Sequence, residues 1–379
     1  MGGACTRCSC STCTSCGAGS YGRRVQASPG AVLGKDVNRK RVQVSGTVKD
    51  DSIPTIDGGV KRIGVVGCGG VGGYFGAVLA AAGYDVRFLV RAGAHFDQLR
   101  AHGLKITSTV VPSFEIACTA ETSAEAIGAC DMVIVSTKAY ALEAVAPTLK
   151  PLLQPGGKTA VIPLLNGIEA PRILAAALGE QYVLGGLCRI ISWIEGPGHI
   201  KQLGQLCNLH FGELSGEFSQ RVKACSVAFE KAGITYTVVP KEEGGVRYAM
   251  WDKFAAICAC SGSGAVTRST MGEMREEPRT FALFKELLQE GYHTARAHGV
   301  ALTDESMQST IQVVTDLAAS STFSLQRDMM AGRVSELDAQ VGAMVRLADE
   351  KNVPVPAMSL VLAALLPQHR AAVVAASKL

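Results

Sequence analysis

The stretch Lys61-Arg62-Ile63-Gly64-Val65-Val66-Gly67-Cys68-Gly69-Gly70-Val71-Gly72 constrains the fold more than any other part of the chain. Residues 61–66 read as a short buried strand, the glycines as a tight turn, and the small apolar residues 73–82 as a helix packed closely on a sheet. The spacing G-x-G-x-x-G alone is weak; between a strand and a helix it becomes specific. Gly67 permits the turn, Gly69 lets the backbone approach a pyrophosphate, and Gly72 lets helix and strand pack closely. The helix N-terminus offers unpaired N–H groups to phosphates. The stretch therefore predicts an α/β Rossmann-type dinucleotide-binding domain, with Gly67, Cys68, Gly69, Gly70, Val71 and Gly72 at the cofactor. A glycine-rich turn that binds nothing is the alternative.

A second strand, 86–90, ends at Arg91. Ligands sit at the carboxyl ends of such strands, and an acidic residue there would hold a ribose 2′-hydroxyl. Asp85 stands at the wrong end of the strand, whereas Arg91 suits a 2′-phosphate and points to NADPH. A solvated surface arginine is the bland reading. A third strand, 131–135, leads through Ser136-Thr137 to Lys138 and a helical stretch over 139–149. A cation in a first helical turn opposes the helix dipole, so Lys138 is expected to face an anion or a polar ligand group. Otherwise it extends into solvent. A strand over 159–165 ends in Asn166-Gly167, a common turn that is also well placed to touch cofactor and substrate.

These residues together resemble the ketopantoate reductase (2-dehydropantoate 2-reductase) family: GCGGVG after the first strand, Arg91, Ser136-Thr137-Lys138-Ala139-Tyr140, and Asn166-Gly167. Trp251-Asp252-Lys253-Phe254 is similar to the stretch opening that family's helical domain. Ser324-Leu325-Gln326-Arg327-Asp328, Gly332-Arg333 and Ser335-Glu336-Leu337-Asp338 resemble its later signature. The resemblance runs from about residue 61 to 365. It implies a Rossmann domain followed by an all-α C-terminal domain, with the active site in the cleft between them. The implied activity is NADPH-dependent reduction of 2-dehydropantoate to (R)-pantoate, on the route to pantothenate and coenzyme A. Independently, no strand alternation follows residue 240; helical periods run over 246–260, 278–298, 304–319, 335–350 and 357–366.

By the same resemblance Lys253 polarises the substrate carbonyl and delivers the proton. Glu336 orients Lys253 or holds substrate hydroxyls, Ser324 binds substrate, and Asn166 bridges cofactor and substrate. Taken alone, Lys253 is a solvated lysine on an amphipathic helix, and Glu336 could pair with Arg333 or Gln340. Where well-matched family members carry asparagines four and eight residues after the lysine, this chain has Ile257 and Ser261. Spacing of four keeps all three near one helical face, so Ile257 and Ser261 are expected to border the substrate beside Lys253. Losing polar partners weakens selection for a hydroxylated substrate. A related 2-oxo acid is therefore as consistent with the chain as 2-dehydropantoate. Two other readings stay open: a dehydrogenase of another small hydroxy acid or an imine, and a non-catalytic NADPH-binding protein.

Composition divides the chain further. With 379 residues, 47% hydrophobic and 18% charged, it is long and apolar enough for two domains. The first 60 residues hold eight Lys or Arg and four Asp or Glu, which leaves 29 of each sign in the rest. That balance argues against a nucleic-acid-binding face. The expected division is a Cys/Ser/Gly-rich tail over 1–58, the NADP-binding domain over 59–242, a helical substrate domain over 243–370 and a short tail over 371–379. Five cysteines fall between Cys5 and Cys16, beside Met1-Gly2 and Thr6 in an N-myristoylation pattern, which points to lipid-mediated membrane association; an idle or cleavable extension fits as well. Ser377-Lys378-Leu379 reads as a peroxisomal import signal for its receptor, with the cytoplasm as alternative. No run approaches the roughly 18 unbroken apolar residues of a membrane span, and the histidines show no metal spacing. The oligomeric state, a homodimer included, stays open.

Overall fold

The structure, a computed structural model, describes Ile56 and residues 58–377. The N-terminal tail with Gly2 and its cysteines, and Lys378 and Leu379 of the import signal, lie outside the described residues. Strands β1 (Arg62–Val66), β2 (Asp85–Leu89), β5 (Thr119–Glu121), β6 (Met132–Val135) and β7 (Ala160–Pro163) form one parallel sheet in the order β5-β2-β1-β6-β7. β6 and β7 are buried along their whole length, as expected of parallel strands covered on both faces, and this is why they read as unbroken apolar runs. From β1 the chain winds outward through β2 to β5, then returns to β6 and winds the other way. The crevice at the carboxyl ends of β1 and β6 is the switch point where such sheets bind ligands.

Between the strands run α1 (Gly70–Ala81), α2 (Ala94–His102), the single turns α3 (Ala124–Ile127) and α4 (Leu142–Val145), and α5 (Ala170–Leu178). A second, mixed sheet comes from β3 (Leu104–Thr107), β4 (Phe114–Ile116), β8 (Gly185–Gly196), β9 (His199–Gly212) and β10 (Tyr236–Thr237), with α6 (Gln220–Lys231) before its last strand. Helix α1 lies between the two sheets, which explains its run of small residues. A side chain at Gly76 would meet Phe88 of the first sheet, and one at Gly73 would meet Ile200 of the second. The long β8–β9 hairpin was not legible in the sequence.

The remainder is helical: α7 (Gly245–Thr267), α8 (Met271–Glu276), α9 (Pro278–Ala297), α10 (Asp304–Thr315), α11 (Ser324–Met330), α12 (Ala343–Glu350) and α13 (Pro356–Ala376). A π-turn, Asp338–Gly342, leads into α12. Central α7 is buried nearly all round, with Phe254, Phe284, Leu287, Tyr292 and Met344 in one core. The α/β fold followed by an all-α domain is thus as expected. Helix α13 departs from the expectation: it is long and apolar enough, by length and composition, to cross a membrane. Its Met358, Val361 and Leu365 are packed in the helical core, and Pro367, Gln368, His369 and Arg370 interrupt its apolar run.

Candidate active site

The first turn forms as its glycines require. Gly67 has φ +93°, a left-handed conformation natural to glycine, and its N–H donates to the Leu89 carbonyl at 3.0 Å. The Ser136 hydroxyl, just past β6, donates to the Gly67 carbonyl at 2.8 Å and anchors the turn to the neighbouring strand. Gly69 faces open space, whereas Gly70 lies against the Ser192–Trp193 backbone of β8 and Gly72 against Ser136 and the Gly67 carbonyl. Val71 is partly exposed and the Cys68 thiol is buried, its pKa raised far by burial. Cys68 therefore contributes backbone to the turn rather than a reactive thiolate.

A histidine that the sequence reading passed over holds this turn from outside. The Gly198 N–H, in the β8–β9 turn, donates to His95 Nδ1 at 3.1 Å, and His95 Nε2 lies 2.9 Å from the Cys68 carbonyl. A backbone N–H can only donate and a carbonyl only accept, so the ring is the neutral tautomer carrying its proton on Nε2. Burial pushes its pKa below the ordinary 6.5, in keeping with that form. Arg91, two residues past β2, is exposed and has no partner among the described residues.

The second half of the site is a polar chain across the cleft. Lys253 Nζ, on α7, donates to Asn166 Oδ1 at 3.1 Å. Asn166 Nδ2 donates to Glu336 Oε2 at 3.4 Å, and the Ala139 N–H donates to Glu336 Oε1 at 3.0 Å. An ammonium has only donors and a carboxylate only acceptors, so the two ends fix the orientation of the Asn166 amide. Glu336 is 5% exposed, and its carboxylate pairs with neither Arg333 nor Gln340. Arg333 instead binds Asp328 at 2.8 Å, and Asp328 also receives Lys138 at 3.2 Å. The anion expected opposite Lys138 is thus the protein's own Asp328. Burial pushes the Lys138 pKa down, but the Glu336 and Asp328 charges outweigh it and the value is raised.

Lys253 is held below its ordinary pKa. Burial is the main cause and the Arg189 guanidinium adds to it, against an opposing pull from Glu336. Beside it Asp252 is tied by the Tyr292 hydroxyl, by Thr310 at 3.1 Å and by Arg189 at 3.4 Å, which fixes this turn of α7. A small open pocket adjoins Lys253, lined also by Leu165, Gly167, Leu187, Met250, Phe254 and Ile257.

The structure thus brings Lys253, Asn166, Glu336 and Ile257 together, with Lys138 beside them. Ser261 does not line the cavity: it is buried, and eight residues of helix carry it about 12 Å along the axis from Lys253. Ser324 opens α11, partly buried and without a side-chain hydrogen-bond partner among the described residues, on the helix whose Asp328 reaches Lys138. Asp328 entered the sequence reading only as part of a signature, and His95 without a role, because their partners lie 190 and 27 residues away and no spacing announces the pairing.

A doubly wound sheet joined over such a chain to a helical half defines a two-domain Rossmann-type oxidoreductase. A family model described as ketopantoate reductase PanE/ApbA matches residues 63–216, and its C-terminal counterpart matches 245–368. The chain belongs to the ketopantoate reductase family. It is 31% identical over 304 residues to an uncharacterized oxidoreductase, YkpB, of Bacillus subtilis strain 168, covering 79% of this chain and 96% of that one. It is 29% identical over 323 residues to a 2-dehydropantoate 2-reductase of Mesorhizobium japonicum, covering 80% and 96%. Among solved structures, the PanE/ApbA family ketopantoate reductase of Ralstonia eutropha JMP134 superposes with a TM-score of 0.72 at 26% identity, covering 82% of this chain and 98% of that chain.

Proposed function

We propose that this chain reduces a 2-oxo acid, 2-dehydropantoate or a close relative, to the (R)-2-hydroxy acid with NADPH. The observation that carries the reading is the Lys253–Asn166–Glu336 chain, an ammonium held in the cleft at the carboxyl end of a doubly wound sheet. The turn fits a dinucleotide. Gly69 leaves room for a pyrophosphate, α1 has no acidic residue in its first turn, and the buried Thr137 and Ser192 hydroxyls beside the turn have no partner among the described residues. Gly67 to Gly72 would hold the pyrophosphate and Arg91 the 2′-phosphate.

When bound, the reduced nicotinamide supplies the hydride to the substrate carbonyl carbon. Lys253 does the rest of the chemistry. Its ammonium hydrogen-bonds the carbonyl oxygen, stabilises the charge that develops there, and gives up a proton as the alkoxide forms. Solvent restores that proton. Asn166 holds the ammonium in place, and Glu336 holds Asn166. Reduction of 2-dehydropantoate by the purified protein, lost with Lys253→Ala, tests the reading; cofactor binding without turnover of any 2-oxo acid would favour a non-catalytic binding protein.

Two expected results concern the dinucleotide. Arg91→Asp replaces an exposed cation by a carboxylate suited to a ribose 2′-hydroxyl. The KM for NADPH should rise about tenfold or more, with the KM for NADH unchanged or lower. Unchanged NADPH kinetics would remove Arg91 from the site. His95 is a positioning residue for the turn. His95→Ala should raise the KM for NADPH severalfold while kcat changes little, and His95→Gln, which can still donate and accept, should recover part of the loss. An equal fall in kcat for both variants would contradict the role.

A further inference from the structure

Resting on the reductase reading, we infer that the substrate is a 2-oxo acid whose side chain is purely hydrocarbon, and that a side-chain hydroxyl counts against it. The cavity beside Lys253 carries the inference. Leu165, Leu187, Met250, Phe254 and Ile257 line it with carbon and sulfur, Gly167 adds no side chain, and Lys253 brings the one polar side chain. Lys253 is needed at the ketone oxygen, so it is not free for a second group.

The polar side chains that meet Lys253 are tied to one another. Asn166 gives its oxygen to Lys253 and one amide hydrogen to Glu336, and Glu336 also accepts from the Ala139 N–H. Ser261 lies outside the cavity lining, buried further along α7. A substrate hydroxyl entering this wall would lose its water and find no side-chain partner, whereas a methyl or branched alkyl group would gain contact.

An apolar pocket rejects an added hydroxyl only moderately, by up to about 100-fold. The expected result is therefore a 10- to 100-fold higher kcat/KM for 3-methyl-2-oxobutanoate than for 2-dehydropantoate, which adds a hydroxymethyl group to the same skeleton. Ile257 sits one helical turn from Lys253 and is the point at which the wall can be made polar. Ile257→Asn should narrow the ratio about tenfold or more, by raising kcat/KM for the hydroxylated acid and lowering it for the hydrocarbon one.

The assay uses the full chain with NADPH and both acids, each as a complete saturation curve. A wild-type protein that prefers 2-dehydropantoate overturns the hydrocarbon assignment and leaves the reductase reading intact. Turnover of neither acid, nor of larger 2-oxo acids, overturns the reductase reading itself. If Ile257→Asn does not fold, the wild-type ratio decides alone.

Discussion

Lys253→Ala should lower kcat for 2-oxo acid reduction by about 1,000-fold, within the range that general acid catalysis contributes. Its affinity for NADPH should stay near that of the wild type, because the turn and Arg91 are on the other half of the molecule. The pH dependence gives a second and independent signature. Protonated Lys253 is the form that polarises and protonates the ketone oxygen. Burial lowers its pKa below the 10.5 of a free lysine, with the Arg189 charge pushing the same way. A cation with a lowered pKa loses its proton earlier as pH rises. Wild-type kcat/KM should therefore fall on an alkaline limb centred below 10.5, and the residual kcat/KM of Lys253→Ala should lack that limb. A variant that keeps most of its rate, or keeps the same limb, would show that another group supplies the proton.

How far the sequence carried this picture depends on whether a feature is local. The strand, turn and helix at 61–82 were legible because each glycine there answers a backbone need within a few residues. The long helices were legible from their periods, although α8 and α11 are too short to show one. The β8–β9 hairpin was missed for a physical reason. One end of β8 is buried on both faces and the other is largely exposed, so no alternation of apolar and polar residues marks it. The site divides in the same way. Lys253, Asn166 and Glu336 entered as separate residues, by resemblance. Their linkage needs β7, α7 and the segment before the π-turn to converge, over separations of 87 and 170 residues. The pair Lys138–Asp328 and the clamp of His95 on the glycine turn are tertiary in the same sense. Spacing of four along α7 puts Ile257 on the pocket lining beside Lys253. Ser261, eight residues on, lies outside that lining, because a helix advances as well as turns.

Two neighbouring glycines separate what the turn does for folding from what it does for the cofactor. At Gly72 a methyl group would fall on the Gly67 carbonyl oxygen and the Ser136 hydroxyl, with Val65 behind it at 3.1 Å. The carbonyl is backbone held by β1, so relief requires α1 to move off the sheet. Gly72→Ala should cost about 3 kcal/mol, the upper end for overpacking, and lower the thermal midpoint by roughly 5 °C. NADPH affinity should fall with it, since the displaced helix carries the N–H groups of the turn. Gly69 is the opposite case. It has φ −82° and ψ −166°, a conformation open to any residue, and nothing lies within 4 Å of the added methyl. Gly69→Ala should leave the thermal midpoint unchanged or slightly raised. Its methyl would stand where the pyrophosphate approaches, and the Kd for NADPH should rise about 10- to 100-fold, the equivalent of roughly 1.4–2.8 kcal/mol. Thermal unfolding and NADPH titration of the two variants side by side measure both effects. A Gly69→Ala protein that binds NADPH as tightly as the wild type would place the phosphates away from this turn.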